Sequence, residues 1–220
     1  MASYHGHVAF SSALGAAYGG MAASQWQMDW GTALLGAGLT ALGGLLPDLD
    51  SDSSVPVREL FGLAAAITPF LLVRRVMNHG FTTEQTLVIL FGVYFFIRYG
   101  ARALLGKLTV HRGMFHSIPA MFIAGLAVFL LYHSPFASVR LYLAGAVMLG
   151  FLSHLVLDAW CAVDLMGAKL HLKKHAGSPL KFVSPSWQAT LTTYGLLAWL
   201  VYLARVEWTQ GGVNYLQHFP

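Results

Sequence analysis

The chain has 220 residues, of which 56% are hydrophobic and 10% charged, with a formal net charge of +4. Soluble domains carry about 25% charged residues, so this composition excludes ordinary water-soluble folding and predicts a polytopic membrane protein. The 13 Lys and Arg residues form no long basic run, which argues against nucleic acid as a partner. A single cysteine, Cys161, excludes an internal disulfide and a Cys-rich zinc site.

The N-terminus, Met-Ala-Ser-Tyr-His-Gly-His, lacks the basic start of a signal peptide, and Ala2 breaks the myristoylation pattern. Apolar runs follow at about 8–24, 29–46, 57–73, 84–105, 117–133, 138–160 and 188–206. Their length predicts helices, because membrane strands are shorter and alternate in polarity. The first two runs are rich in small residues, among them Gly15, Gly19, Gly36 and Gly43, which predicts a closely packed helix pair rather than a phosphate-binding loop. Trp26 and Trp30 flank the first turnaround and Trp187 opens the last run, where interfacial aromatics belong. Residues 161–187 form the one long polar stretch. The expected fold is all-α, a polytopic integral membrane bundle of six to seven transmembrane helices, built as one domain over residues 1–220.

Four short clusters of metal-ligand side chains punctuate these runs. They are His7; Asp48 and Asp50; His111 and His116; and His154 and Asp158. Ionisable groups are costly at a membrane edge and stand there by default for a function. If the helices alternate across the bilayer, every cluster falls at the same membrane face. That face holds nine of the 13 cations (Arg58, Arg98, Arg102, Lys107, Arg112, Lys169, Lys173, Lys174 and Lys181). Arg74, Arg75, Arg140 and Arg205 take the other, so the positive-inside rule predicts a cytoplasmic site.

Each cluster has a chemical reading and a plainer one. His154 and Asp158 are four apart and share a helix face, so they either chelate one cation or form a buried hydrogen bond. Asp48 and Asp50 follow the helix-stopping Pro47. In an extended loop they point opposite ways, so one binds or bridges cations while the other binds a second ion or orients a histidine. The plain alternative is an N-cap by Asp50, Asp52 or Ser53. Gly113 permits a turn that gathers His111 and His116. Arg112 between them is expected to clamp a phosphate or carboxylate, or else to anchor at lipid headgroups. Ser117 is expected to cap the following helix, and Ser153 to support a ligand. His5, His171 and His175 stay open as extra ligands. Seven ligands exceed the four of a tetrahedral zinc site, which points to two or three divalent ions, zinc first among them, with bridging carboxylates.

The segments Gly-His-Val-Ala-Phe-Ser (6–11), Leu-Leu-Pro-Asp-Leu-Asp (45–50), His-Arg-Gly-Met-Phe-His-Ser (111–117) and Gly-Phe-Leu-Ser-His-Leu-Val-Leu-Asp (150–158) resemble the YdjM-like family in order and spacing. That resemblance covers about residues 5–165 and implies a bacterial inner-membrane, metal-dependent hydrolase. It also implies a remote relationship to zinc-dependent phospholipase C and single-strand nucleases, with all seven ligands as metal-site positions. The sequence departs from the family pattern at Ser51, where many relatives carry His, and at Cys161, Ala162 and Val163, where Thr-Pro is common.

The expectation is therefore a membrane hydrolase in which a metal-activated hydroxide attacks a phosphoester of a phospholipid or lipid-linked substrate. Arg112, Asp50 and His116 are the catalytic candidates, and Arg112, Lys173 and Lys174 the substrate-binding ones. The alternatives are a hydrolase of a lipid amide or carboxylic ester, a divalent-metal transporter or sensor, and a structural role for the His–Asp pairs.

Overall fold

The computed structural model describes residues 3–50, 54–101, 114–166, 169–172, 182–183 and 186–210. Among them are seven α-helices: α1 (Tyr4–Ser24), α2 (Trp30–Gly43), α3 (Ser54–Asn78), α4 (Thr83–Phe95), α5 (Ile118–Leu131), α6 (Ala137–Ala162) and α7 (Trp187–Gln210). A 3-10 turn, Leu46–Asp50, follows α2, and a π-helical turn, Phe96–Ala101, continues α4. The helices coincide with the apolar runs, since a helix satisfies its backbone within one segment.

Side chains set the starts. Ser3 accepts from the Gly6 amide and Asp29 from the Thr32 amide. Thr82 and Gln85 form a reciprocal capping box ahead of α4, and Ser117 caps α5 by accepting from the Ala120 amide at 3.2 Å. Pro47 ends the chain's return along α2, but as a 3-10 turn and not as the extended loop the sequence suggested.

Among the described residues, three helices have the length and composition to cross a membrane: Arg58–Asn78, Ala137–Cys161 and Trp187–Thr209. The fourteen-residue α2 and α5 reach only about 21 Å, short of the roughly 30 Å hydrocarbon core. Apolar runs of seventeen or eighteen residues thus overstate helix length, because their ends fold into caps and turns.

The core is built on backbone contact. A Cβ on Gly15 would lie 2.5 Å from the Ala37 carbonyl oxygen, and one on Gly19 2.7 Å from that of Ala33. The small faces of α1 and α2 therefore touch main chain to main chain, as the glycine content predicts. The same logic joins α2 to α6: a Cβ on Gly43 would overlap the Val147 carbonyl, and one on Gly150 that of Thr40. At the centre lies α6, with Leu143, Ala146, Val147 and Leu155 buried. Helix α5 lies against α6, α4 against α3, and α7 rides on the outside of α5.

Two features were not anticipated. The polar stretch opens with an antiparallel hairpin, β1 (Val163–Met166) and β2 (Lys169–Leu172), in the register Val163↔Leu172. Away from the ligand clusters, Arg75 and Arg140 both donate to one oxygen of Glu207, at 2.6 and 3.2 Å, tying α3 and α6 to the end of α7.

Candidate metal centre

The start of α1, the turn after α2, the residues before α5 and the last turns of α6 come together. They deliver His7, Asp48, His116, His154 and Asp158 to one place. His7 sits one turn inside α1 on its buried, small-residue face with Ser11, Gly15 and Gly19. Asp48 is held by the 3-10 turn, where its amide donates to the Leu45 carbonyl at 3.2 Å. His116 precedes the Ser117 cap. His154 and Asp158 lie a turn apart on the buried face of α6, as their spacing predicts.

His154 fixes the geometry. It is 1% exposed, and its Nδ1 lies 2.7 Å from the carbonyl oxygen of Gly44. Since a carbonyl only accepts, Nδ1 carries the proton and Nε2 keeps its lone pair. A carbonyl partner on the far nitrogen is the usual way a ligating histidine is oriented. Nε2 points inward, 3.7 Å from Asp48 Oδ1 and 3.7 Å from Asp158 Oδ2. His116 Nε2 stands 3.7 Å from Asp48 Oδ1, and His7 Nε2 3.3 Å from Asp158 Oδ1. The His7 and His154 rings stack at 3.7 Å.

These separations exceed good hydrogen-bond lengths. They match what a shared cation imposes: two donors at ~2.1 Å from a tetrahedral ion are themselves about 3.4 Å apart. The partner count agrees. His154 Nε2 and His7 Nδ1 are buried without a hydrogen-bond partner, and such orphans are rare. Burial pushes the Asp48 carboxyl up, but His116, His154 and His7 together hold it below the ordinary aspartate range, so it stays ionised. Nitrogen and carboxylate donors of this kind fit a borderline or hard divalent cation.

The donors form two triads, His7 with His154 and Asp158, and Asp48 with His116 and His154. They share His154, and its one available lone pair serves one ion. Any second ion would rest on the remaining donors.

Five of the seven expected ligands thus meet. Asp50 ends the 3-10 turn, but its side chain lies outside the described residues, as do His111, Arg112, Lys173 and Lys174. So do Asp52 and Ser53, proposed as caps for α3, and the side chain of His171. His175 lies outside them too, while His5 is exposed. Ser153 does not support a ligand: its hydroxyl donates to the Gly150 carbonyl of its own helix at 2.7 Å. The supporting role belongs to Gly44, one of the glycines of the small-residue runs. Its signal was present in the Gly43–Gly44 pair just ahead of Pro47.

The profile of the YdjM inner membrane protein family matches residues 1–206. The chain therefore belongs to that family. Comparison with curated proteins and with solved structures found no match.

Proposed function

We propose that this protein is a metal-dependent hydrolase of the inner membrane that cleaves a phosphoester of a phospholipid or lipid-linked substrate. One observation carries the reading. Five buried or half-buried donors converge at cation-sharing distances, and the inward nitrogen of His154 has no hydrogen-bond partner. A purely structural His–Asp cluster would close to direct hydrogen bonds.

A bound divalent ion, zinc in this reading and about two or three per chain, supplies Lewis acidity and water activation near neutral pH. The protein's own groups do the rest. Gly44 holds the His154 ring so that Nε2 faces Asp48 and Asp158. Asp48 and Asp158 bring the negative charge that draws cations in. Arg112, Lys173 and Lys174 take the negative charge of the substrate, and Asp50 and His116 share the catalytic step with Arg112. A centre at the ends of the helices suits a lipid, whose tail stays in the bilayer while its phosphate reaches the cleft. It suits transport less, since transporters place their ligands near the midplane. In this reading the bundle crosses the membrane six or seven times, with the short α2 and α5 completed by their flanking turns or by local bilayer thinning, and the centre faces the cytoplasm.

The test is elemental analysis of the purified chain together with a screen of lipid phosphoesters. We expect about two divalent ions per chain, and phosphoester hydrolysis that disappears on chelation and returns with zinc. Fewer than about one ion per chain, or full turnover after exhaustive chelation, would sink the reading.

A further inference from the structure

The π-helical turn Phe96–Ala101 continues α4 and carries Arg98. Such insertions occur often at functional positions, because one extra residue re-aims the side chains of the turn. Here the turn lays the Arg98 guanidinium on the bare Cα of Gly62 in α3, where a Cβ would overlap Nη1. Nη1 donates to the Arg58 carbonyl at 3.4 Å. Among the described residues this long bond is the only hydrogen bond Arg98 makes. A guanidinium offers five N–H donors, so most of this fork is unmet, on a side chain that is only half exposed.

The surroundings define what would fill it. Phe95, Phe96 and Tyr99 beside it are exposed, an aromatic fringe of the kind that sits at the lipid headgroup layer. Arg58, one turn into α3, adds a second guanidinium, and Glu59 pairs with it at 3.3 Å. Helix α3 packs against the 3-10 turn that carries Asp48.

We infer that Arg98, seated on Gly62 and seconded by Arg58, binds the phosphate of a membrane lipid and presents it at the rim of the Asp48–His116–His154 cluster. This rests on the phosphoester reading of that cluster. The planar fork grips phosphate oxygens in pairs, whereas a lysine meets them as a point charge. Gly62 then helps to set where the fork sits, because its missing side chain leaves room for Nη1 against α3.

Binding is to be measured on the full chain in detergent after removal of metal, so that turnover plays no part. The probes are phosphatidylglycerol, diacylglycerol with the same tails, and inorganic phosphate. We expect Arg98→Ala to weaken phosphatidylglycerol binding about tenfold or more, the effect of losing a charge-assisted contact, and to leave diacylglycerol binding unchanged. Arg98→Lys should recover part of the loss. Gly62→Ala should weaken phosphatidylglycerol binding in the same direction. Should that variant fail to fold, Arg98→Ala with Gly62 intact decides the matter alone. Unchanged phosphatidylglycerol binding in Arg98→Ala overturns the inference. So does an equal loss for diacylglycerol, which would make Arg98 a packing residue. Inorganic phosphate binding as tightly as the lipid assigns the seat to free phosphate and overturns the lipid. The metal reading fails separately: an inert, metal-free protein that still loses lipid phosphate in Arg98→Ala leaves this inference standing.

Discussion

Two polar clusters in this bundle follow opposite rules. Where Arg75 and Arg140 meet Glu207, charges touch directly, at 2.6 and 3.2 Å. Arg140 also donates to the Phe129 carbonyl at 2.7 Å and lies over the Phe129 ring at 4.0 Å. At the histidine cluster imidazole and carboxylate stand 3.3–3.7 Å apart and two nitrogens are orphaned, against one, Arg75 Nε, in the first cluster. Both clusters are largely buried, and in one the protein is its own counterion. In the other it leaves room for something between its donors. The contrast separates a staple from a site without any appeal to which residue types are present.

The contrast breaks most sharply under paired substitution. His154→Ala should lower divalent-metal affinity by more than about a hundredfold, beyond the loss usual for a partner that merely supports a ligand, with little change in the stability of the metal-free protein. Glu207→Ala should do the reverse. It leaves Arg140 buried without its partner and should cost about 3 kcal/mol, while metal content stays at the wild-type level. Metal titration and thermal unfolding of both variants decide this. If Glu207→Ala loses metal as His154→Ala does, the two clusters are one coupled unit.

A smaller effect is expected at the glycines. Gly150→Ala drives a methyl into the Thr40 carbonyl and should separate α2 from α6, costing about 1–3 kcal/mol as overpacking does. Because Gly44 moves with α2, metal affinity should fall as well. Gly20→Ala, which meets nothing within 4 Å, should be neutral or gain up to about 1 kcal/mol from helix propensity. Equal melting temperatures for the two variants would refute the backbone-contact account of the core.

The smallest effect is on pH dependence. A carboxylate whose pKa is lowered by folding adds stability that is complete above its unfolded value, ordinarily 3.8 for aspartate, and is lost as pH falls through the lower folded value. Asp48 should therefore contribute a constant increment to the metal-free protein at neutral pH and lose it only in strong acid. Asp48→Asn should flatten that acid limb, and a limb as steep as wild type would remove Asp48 from the cluster's charge balance.

Much of the centre was legible in the sequence because helices constrain geometry at short range. A spacing of four places His154 and Asp158 on one face, and Pro47 had to stop the chain ahead of Asp48. The alternation of apolar runs then gathered both with His7 and His116. What could not be read depends on contacts between distant residues. Arg75 and Glu207 are 132 residues apart, and neither segment carries a local hint of the other. The Arg98 seat needs a π turn in one helix and a glycine in another. The hairpin at 163–172 joins strands of four residues, too short to show a period within a lysine-rich stretch.

The acceptor that orients His154 is a main-chain oxygen, and a main chain has no alanine variant. A mutational scan of the polar side chains around the centre would pass over the atom that decides which imidazole nitrogen faces the two carboxylates. Its trace would emerge only indirectly, as intolerance at Gly43, Gly44 and Gly150, positions with no chemistry of their own. Glycines that look like packing residues thus mark where His154 takes its bearing.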